Sequence, residues 1–204
     1  MRAPVSVCII ACNEEELLPR CLDSVAWADE IVVVVDEKSR DGTEKIARER
    51  AQCVIVRPYL GDIEQKEFCA GLASHDWVLA LDPDEVLPPA TVRELEESLA
   101  SADEVLSGIE VNRATFYLGR WVRHGDFYPD WKLRVFRRSR ARFTGRNPHA
   151  RIEVEGEVHR LAGVLEHRSY RDLADQIERI QFFSEQAARA LHEEGRRARV
   201  RDLV

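Results

Sequence analysis

Four short runs of mainly β-branched and other apolar residues, separated by segments with helical spacing, constrain the fold of this chain most. The runs are VSVCIIAC, EIVVVVD, CVIV and WVLALD, in that order along the first half. Continuous apolar strands are expected where both faces of a sheet are covered. Strands that alternate with helical crossovers form parallel sheets. The sequence therefore predicts an α/β fold with a Rossmann-like, mostly parallel sheet and flanking helices.

The segments between and after these runs have the apolar spacing of helices. LLPRCLDSV and DIEQKEFCAGLAS each group apolar side chains on one face. DGTEKIARER begins with Asp41 and Glu44 in the arrangement of a capping box. PPATVRELEESLAS places Val92, Leu95 and Leu99 at helical spacing behind a Pro-Pro start.

Composition indicates one cytoplasmic domain spanning 1–204. The 204 residues are 45% hydrophobic, which is enough for one full core. The net charge of −7 argues against a general nucleic-acid binder, so no nucleic-acid partner is expected. The five cysteines show no CxxC pair and lie mostly in apolar stretches, as buried thiols of a reducing compartment do. No signal peptide and no stretch long enough to span a bilayer is visible.

The character of the sequence changes after about residue 100. Between Arg113 and Arg151 there are eleven basic residues and two acidic ones, with aromatic residues interleaved. LRVFRRSRARFTG alternates like a β-hairpin around Arg138 to Arg140. The tail, 171–204, has the apolar stripe of an amphipathic C-terminal helix.

Polar residues follow three of the four predicted strands. Asn13 comes after the first, Asp36 after the second, and Asp82 with Asp84 after the fourth. Ligands of open α/β sheets bind beyond the carboxyl ends of the strands, where the strand order reverses. If the first and fourth strands are neighbours, these side chains share one crevice.

The stretch LALDPDE places three carboxylates within four residues at the end of a buried strand. In an extended chain Asp82 and Asp84 point to the same side and can share one hard cation, Mg²⁺ or Mn²⁺. Pro83 restricts the conformation between them. The alternative is an exposed acidic turn that caps the next helix.

The ordered motifs SVCIIACNEEELLPRCLDSV, VVVVDEKSRDGT, QKEF and WVLALDPDE resemble those of the family 2 nucleotide-sugar glycosyltransferases with a GT-A fold. YLGRWVRHGDFYPDWKLRVFRR and LEHRSYRDL are similar to the bacterial lipopolysaccharide core β-glucosyltransferases. The resemblance implies metal-dependent, inverting transfer of a hexose, with UDP-glucose as the expected donor. It also implies a lipid-linked, anionic glycan acceptor, such as the lipopolysaccharide inner core, and peripheral contact with the cytoplasmic face of the inner membrane.

The resemblance also assigns roles to individual residues, with 1–100 as the nucleotide-sugar half and 101–170 as the acceptor half. The residues implied to bind the nucleotide sugar are Asn13, Glu14, Asp36, Ser39, Asp41, Lys66 and Asp82. The implied metal ligands are Asp82, Asp84 and His149, the last with a plain surface histidine as its alternative.

A base is needed to take the proton of the acceptor hydroxyl. Asp130, in FYPDWKLR, matches the family's Tyr-Pro-Asp, and Asp126 is the other carboxylate of this region. The competing interpretation of Asp130 is an ion pair with Lys132 or Arg134.

Relatives commonly have His-Glu where this chain has His149 followed by alanine. If that glutamate carries catalysis in the family, this chain has lost it, or Glu153 or Glu155 substitutes for it.

Aromatic and basic residues of the second half are the candidates for acceptor binding, through sugar stacking and contacts with anions. They are Trp121, Arg123, His124, Tyr128, Trp131 and Arg134. The alternative is a solvated basic face with core aromatics, and Phe136 and Phe143 are expected to be core residues.

Two other functions remain open at this stage. A sugar-phosphate nucleotidyltransferase would share the sheet, but it needs a glycine-rich phosphate loop where this chain has ACNEEE. An anionic-lipid or RNA-binding module would use the arginine-rich second half, and it would leave the acidic cluster unexplained.

Overall fold

The structure, a computed structural model, describes residues 2–147, 149–170 and 172–197, without the side chains of Asp126 and His149. The elements of the first half are β1 Val5–Ala11, α1 Leu18–Ser24, β2 Glu30–Asp36, α2 Thr43–Arg50, β3 Cys53–Arg57, α3 Asp62–Gly71, β4 Trp77–Leu81, β5 Glu85–Val86 and α4 Pro89–Ala100. Those of the second half are β6 Leu106–Tyr117, β7 Arg120–Val122, β8 Trp131–Arg137, β9 Ala141–Arg146, β10 His149–Val154, β11 Glu157–His167 and α5 Leu173–Glu193.

Within the described residues nine strands form one sheet, in the order β3-β2-β1-β4-β8-β6-β11-β5 with β7 paired to β6. Strands β1 to β4 are mutually parallel, and β11 is parallel to β6. Strands β5, β7 and β8 run antiparallel to their neighbours. The predicted α/β fold with a mostly parallel sheet is confirmed.

Strand β1 lies between β2 and β4, so the strand order reverses beside it. Ile9 of β1 is in register with Leu81 of β4. The prediction that the first and fourth strands are neighbours is therefore confirmed. The loops after both strands leave the sheet at the same edge, where α/β folds bind ligands.

Both faces of the first four strands are covered, as their continuous apolar sequences predict. Alternate residues such as Val7 and Ile9 pack with Leu22 of α1 and Leu95 of α4. Residues of the opposite face pack with α3, where Cys69 is buried. Burial of each leucine or valine side chain contributes roughly 1.5–3 kcal/mol to the free energy of folding. Packing on both faces therefore stabilises the first four strands.

The predicted hairpin around Arg138 to Arg140 is wrong. Both strands form, but β8 pairs with β4 and β6, whereas β9 pairs with β10 in a separate two-stranded sheet. Because both edges of β8 are already paired, β9 has to leave the main sheet. Phe136 of β8 and Phe143 of β9 then meet, with ring centroids 5.9 Å apart. The predicted core role is confirmed for Phe136, which is fully buried, whereas Phe143 is half-buried and packs against the core.

The C-terminal helix, α5, begins after an N-cap at Asp172, whose side chain accepts a hydrogen bond from the backbone of Asp175. It ends at Glu193, short of the predicted 171–204; residues 171 and 198–204 lie outside the described part of the chain. Its apolar stripe is largely exposed, with Ile177 and Ile180 each at 51%. Among the described residues, no helix is long and apolar enough to span a bilayer.

The five cysteines are all free thiols. Cys8, Cys21 and Cys69 are buried, as predicted, whereas Cys53 is half-buried and Cys12 is exposed at the end of β1. Cys12 is therefore an exception to the predicted burial.

Candidate active site

A cleft of about 580 Å³ lies beyond the carboxyl ends of β1, β2 and β4. Five of the residues predicted to bind nucleotide or metal line it, namely Glu14, Asp36, Lys66, Asp82 and Asp84. Clefts of about 300–1,000 Å³ are typical of small-molecule sites. As predicted from the positions of ligands in open α/β sheets, these five residues lie together at the carboxyl ends of the strands.

Asp82 is held by two cations. Its Oδ1 lies 2.8 Å from Nζ of Lys66, and its Oδ2 accepts a hydrogen bond of 2.7 Å from Arg134. Burial by itself would raise the pKa of Asp82, but Lys66 and Arg134 outweigh it and hold that pKa far below its ordinary value. Asp82 is therefore a permanent anion that positions Lys66 in the cleft. Its predicted role as a metal ligand stays a prediction.

Asp84 faces a different partner from Asp82, contrary to the expectation that both share one. Its Oδ2 lies 3.3 Å from Nε2 of His167, and both side chains are nearly buried, 11% and 12% exposed. Within the described residues, Oδ1 of Asp84 is buried without a hydrogen-bond partner. A buried carboxylate oxygen is costly unless a donor or a cation meets it.

The ring of His167 is oriented from its other side. Its Nδ1 lies 3.3 Å from the hydroxyl of Thr115 and 2.8 Å from that of Ser169. A carboxylate and an imidazole together form a donor set for a divalent transition ion such as Mn²⁺. Among the described residues no group of three or more such ligands occurs, and a cation of this kind completes its shell with water and phosphate oxygens. The pair fits such an ion.

The third carboxylate of LALDPDE, Glu85, is fully buried and belongs to the framework. It accepts hydrogen bonds from Arg134 and from the backbone of Asp82, and Arg113 lies 3.6 Å away. Arg134 is only 8% exposed. One terminal nitrogen of its guanidinium donates to Glu85 and Asp82 beneath the cleft, and its Nε is buried without a hydrogen-bond partner among the described residues. Arg134 is not among the described residues that line the cleft, so its position does not support the predicted role in acceptor binding.

Asp130, the predicted base, forms ion pairs through both of its oxygens. Oδ2 lies 2.8 Å from Arg113 and Oδ1 lies 2.8 Å from Lys132. Burial favours a higher pKa for Asp130, but Lys132 and Arg113 reverse this and lower that pKa below its usual range. The ion-pair alternative is therefore what the structure has, with Arg113 in place of Arg134. Arg113 itself lines the cleft.

Asn13, Ser39 and Asp41 are not among the described residues that line this cleft, and Asn13 and Asp41 line a separate pocket that shares Glu14 with it. The three residues connect two loops there. Asn13, with a positive φ of 56°, accepts a hydrogen bond from the backbone of Arg40, and its own N–H donates to Ser39. Asp41 accepts hydrogen bonds from the backbones of Glu15 and Thr43. The N-cap of α2 is Gly42, without a side-chain cap hydrogen bond, and Glu44 pairs with Arg48 on the helix surface. The predicted capping box is therefore wrong.

The remaining predicted acceptor residues lie outside the cleft. Trp121 packs edge-on against Phe116, and Trp131 lies under the guanidinium of Arg160. The others, Arg123, His124 and Tyr128, are exposed or half-buried and are not among the described residues that line the cleft. Asp126, the second candidate base, lies in a 3-10 turn, and His149, a candidate metal ligand, begins β10. Their side chains are outside the described residues.

Sequence reasoning missed four residues that close the other side of the cleft, namely Tyr170, Arg179, Phe182 and Phe183. Arg113 and His167 line the cleft beside them. Phe182 and Phe183 are on α5, and the hydrogen bond from Tyr117 to Gln176 holds that helix at the cleft. The helical spacing predicted α5, but its docking site depends on contacts distant in sequence.

The fold and this cleft define an α/β glycosyltransferase of the GT-A type. The sequence profile described as "Glycosyl transferase family 2" matches residues 6–155. The chain belongs to this family.

Two relatives match nearly the whole chain. The lipopolysaccharide core biosynthesis glycosyltransferase LpsC of Rhizobium meliloti is 30% identical over 100% of this chain and 77% of its own length. An uncharacterised glycosyltransferase of Rickettsia typhi is 29% identical over 95% of this chain and 70% of its own length.

One solved structure supports the fold over almost the whole chain. It is glucosyl-3-phosphoglycerate synthase of Mycobacterium tuberculosis with Mn²⁺, UDP and phosphoglyceric acid. It aligns with a TM-score of 0.58 and 18% identity, over 93% of this chain and 77% of that chain. Several other solved structures are matched over less than half of their length.

Proposed function

We propose that this glycosyltransferase is metal-dependent and inverting, and that it moves a hexose from a nucleotide sugar to a lipid-linked glycan. The proposed donor is UDP-glucose, and the proposed acceptor resembles the lipopolysaccharide inner core. The observation that carries the proposal is the Asp84–His167 pair, with its unsatisfied carboxylate oxygen, in the cleft where the strand order reverses. The similarity to LpsC, and the Mn²⁺ and UDP present in the synthase structure, support it.

Asp84 and His167 would hold a Mg²⁺ or Mn²⁺ ion, which supplies Lewis-acid stabilisation of the departing diphosphate. Lys66 and Arg113 line the same cleft and bring further positive charge. Both are fixed by carboxylates, Lys66 by Asp82 and Arg113 by Asp130. Fixed charges stabilise a developing anion without a cost of reorganisation during the reaction.

The donor and the acceptor would enter from different halves of the chain. Residues 1–100 supply Asp36, Lys66 and the acidic strand end for the nucleotide sugar, as the sequence predicts. Residues 101–170 and α5 close the other side, where the acceptor would bind. The exposed apolar stripe of α5 supports a proposed peripheral position at the cytoplasmic face of the inner membrane.

A thermal-unfolding panel of nucleotide sugars with and without Mn²⁺ tests the proposal. A ligand at 100 times its Kd stabilises the native state by about 2.7 kcal/mol. We expect UDP-glucose to stabilise the protein only when Mn²⁺ is present, and Asp84→Asn to remove this effect. Asp23→Asn, at an exposed site in α1, is the matched control. Equal stabilisation of Asp84→Asn and the unsubstituted protein would refute the metal site.

Transfer itself is the second readout. Incubation with UDP-glucose and a lipopolysaccharide acceptor that lacks outer core sugars should release UDP in the presence of Mn²⁺. The Asp23→Asn control should release it at the unsubstituted rate, and Asp84→Asn should not. If the protein binds the nucleotide sugar but transfers nothing to such acceptors, the proposed donor stands and the proposed acceptor is refuted.

A further inference from the structure

Arg168 is a charged side chain on an aromatic surface, and no carboxylate of the described residues forms an ion pair with it. Its guanidinium carbon lies 4.5 Å from the ring centroid of Phe116 and 5.7 Å from that of Trp121. Its Nε is buried and has no hydrogen-bond partner within the described residues. An arginine stays protonated in proteins and offers five N–H donors. The buried Nε–H therefore lacks the acceptor that a buried donor requires.

The neighbouring Arg160 shows that the ring contact alone does not explain this arrangement. Arg160 lies over the ring of Trp131 at 4.7 Å, a similar stack. Its Nε, however, donates a hydrogen bond of 2.7 Å to Glu110. Of these two stacked arginines, Arg160 has a carboxylate partner, whereas Arg168 could bind a carboxylate or phosphate of a ligand.

Arg168 is one residue from the proposed metal pair. Its backbone N–H donates to the carbonyl of Asp84, and it directly follows His167. Adjacent residues of an extended chain point to opposite sides. His167 accordingly meets Thr115 on the cleft side, whereas Arg168 meets Phe116, the next residue of β6, on the reverse side.

We propose that Arg168, Phe116 and Trp121 form a subsite for an anionic sugar of the acceptor, a sugar acid or a sugar phosphate. The guanidinium donates two parallel hydrogen bonds to the carboxylate or phosphate, the geometry that arginine favours. The ring of Trp121, which is half-buried, provides an amphipathic surface for the sugar itself. This assignment rests on the proposed glycosyl transfer and specifies the chemistry of its acceptor.

A titration followed by NMR tests the subsite without any reaction. The probes are glucuronate, glucose 6-phosphate, inorganic phosphate and glucose, and the signal is the Nε–H resonance of each arginine. We expect the two anionic sugars to move the Arg168 resonance to saturation and to leave the Arg160 resonance unchanged. Inorganic phosphate should bind about tenfold more weakly and glucose not at all, since each lacks one half of the contact. Equal affinity for phosphate and sugar phosphate, or no shift at Arg168, would overturn the proposal.

Substitutions separate this subsite from the donor site. Arg168→Gln should raise the KM for an anionic acceptor by about tenfold or more, because a charge-assisted hydrogen bond is lost. Stabilisation by UDP-glucose with Mn²⁺ should stay unchanged. Arg160→Gln is the matched control, and Arg168→Lys, which keeps the charge, serves if the glutamine variant does not fold. An unchanged KM in both Arg168 variants contradicts the proposal, whereas failure of donor binding in the unsubstituted protein contradicts the proposed function instead.

Discussion

His167 Nε2 lies 3.3 Å from Asp84 Oδ2, although the two residues are distant in the sequence. The short strand β5 makes this contact possible, because His167 of β11 is in register with Glu85, the residue after Asp84. The acidic strand end and the last strand of the second half therefore meet at one edge of the sheet. The two halves of the chain contribute one ligand each to the proposed metal site.

Replacement of the histidine should weaken the binding of the ion. We expect His167→Gln to lower the affinity for Mn²⁺, measured by calorimetry in the presence of UDP, by about tenfold or more, since even outer groups of metal sites contribute 10–100-fold. His159→Gln is the control, because this exposed histidine lies on the same strand and outside the cleft. Unchanged Mn²⁺ affinity in His167→Gln would mean that Asp84 binds the ion without it.

The buried carboxylate beneath the cleft should make Arg134 essential for stability. Removal of one partner of a buried ion pair typically costs about 3–5 kcal/mol, because the other charge stays buried without compensation. We expect Arg134→Met to lower the free energy of unfolding in urea by this amount, through Glu85. Arg142→Met is the control, since Arg142 is 74% exposed and pairs with Glu153 at the surface. A loss in Arg134→Met no larger than in this control would show that the buried contact of Arg134 with Glu85 does not stabilise the fold.

The sequence predicted much of the side of the cleft formed by the strand ends, because one rule governs it. Parallel strands end at one edge, so Asp36 and Asp82 had to meet wherever the strand order reversed. The place of Lys66 in the site was implied by the family-like motif QKEF. These features depend on the local pattern and on the topology that the pattern implies.

The rest depends on contacts between distant segments, which spacing along the chain does not encode. Glu85 and Arg134 lie 49 residues apart, and only the insertion of β8 beside β4 makes them a buried pair. His167 reaches Asp84 through the pairing of β11 with β5. The same alternation that suggested a hairpin at Arg138 to Arg140 also suits two strands that belong to different sheets.

Asp130 should act by holding Arg113 and not by accepting a proton. We expect Asp130→Asn and Arg113→Gln to lower kcat/KM by similar factors, and the double variant to be no worse than either, because residues that act as a unit are not additive. Steady-state kinetics of all three variants measure this. A fall of kcat in Asp130→Asn by about 10²–10⁴-fold, well beyond that in Arg113→Gln, would restore Asp130 as the general base.

The carboxylate of Asp130 should also affect how the stability of the protein changes at acid pH. The pKa of Asp130 is lower in the folded chain than the ordinary value of about 3.9 in the unfolded chain. Its ion pairs with Lys132 and Arg113 therefore contribute stability above about pH 4, and this contribution is lost as the pH falls through the folded-state pKa. As the pH falls from about 5 to below the ordinary carboxyl pKa, the unsubstituted protein should lose more free energy of unfolding than Asp130→Asn. We expect a difference of about 1 kcal/mol or less, because solvent screens the partly exposed pair. Parallel urea titrations of the two proteins across this range measure the difference, and identical losses would show that the carboxylate has the same affinity for protons in the folded and unfolded chains.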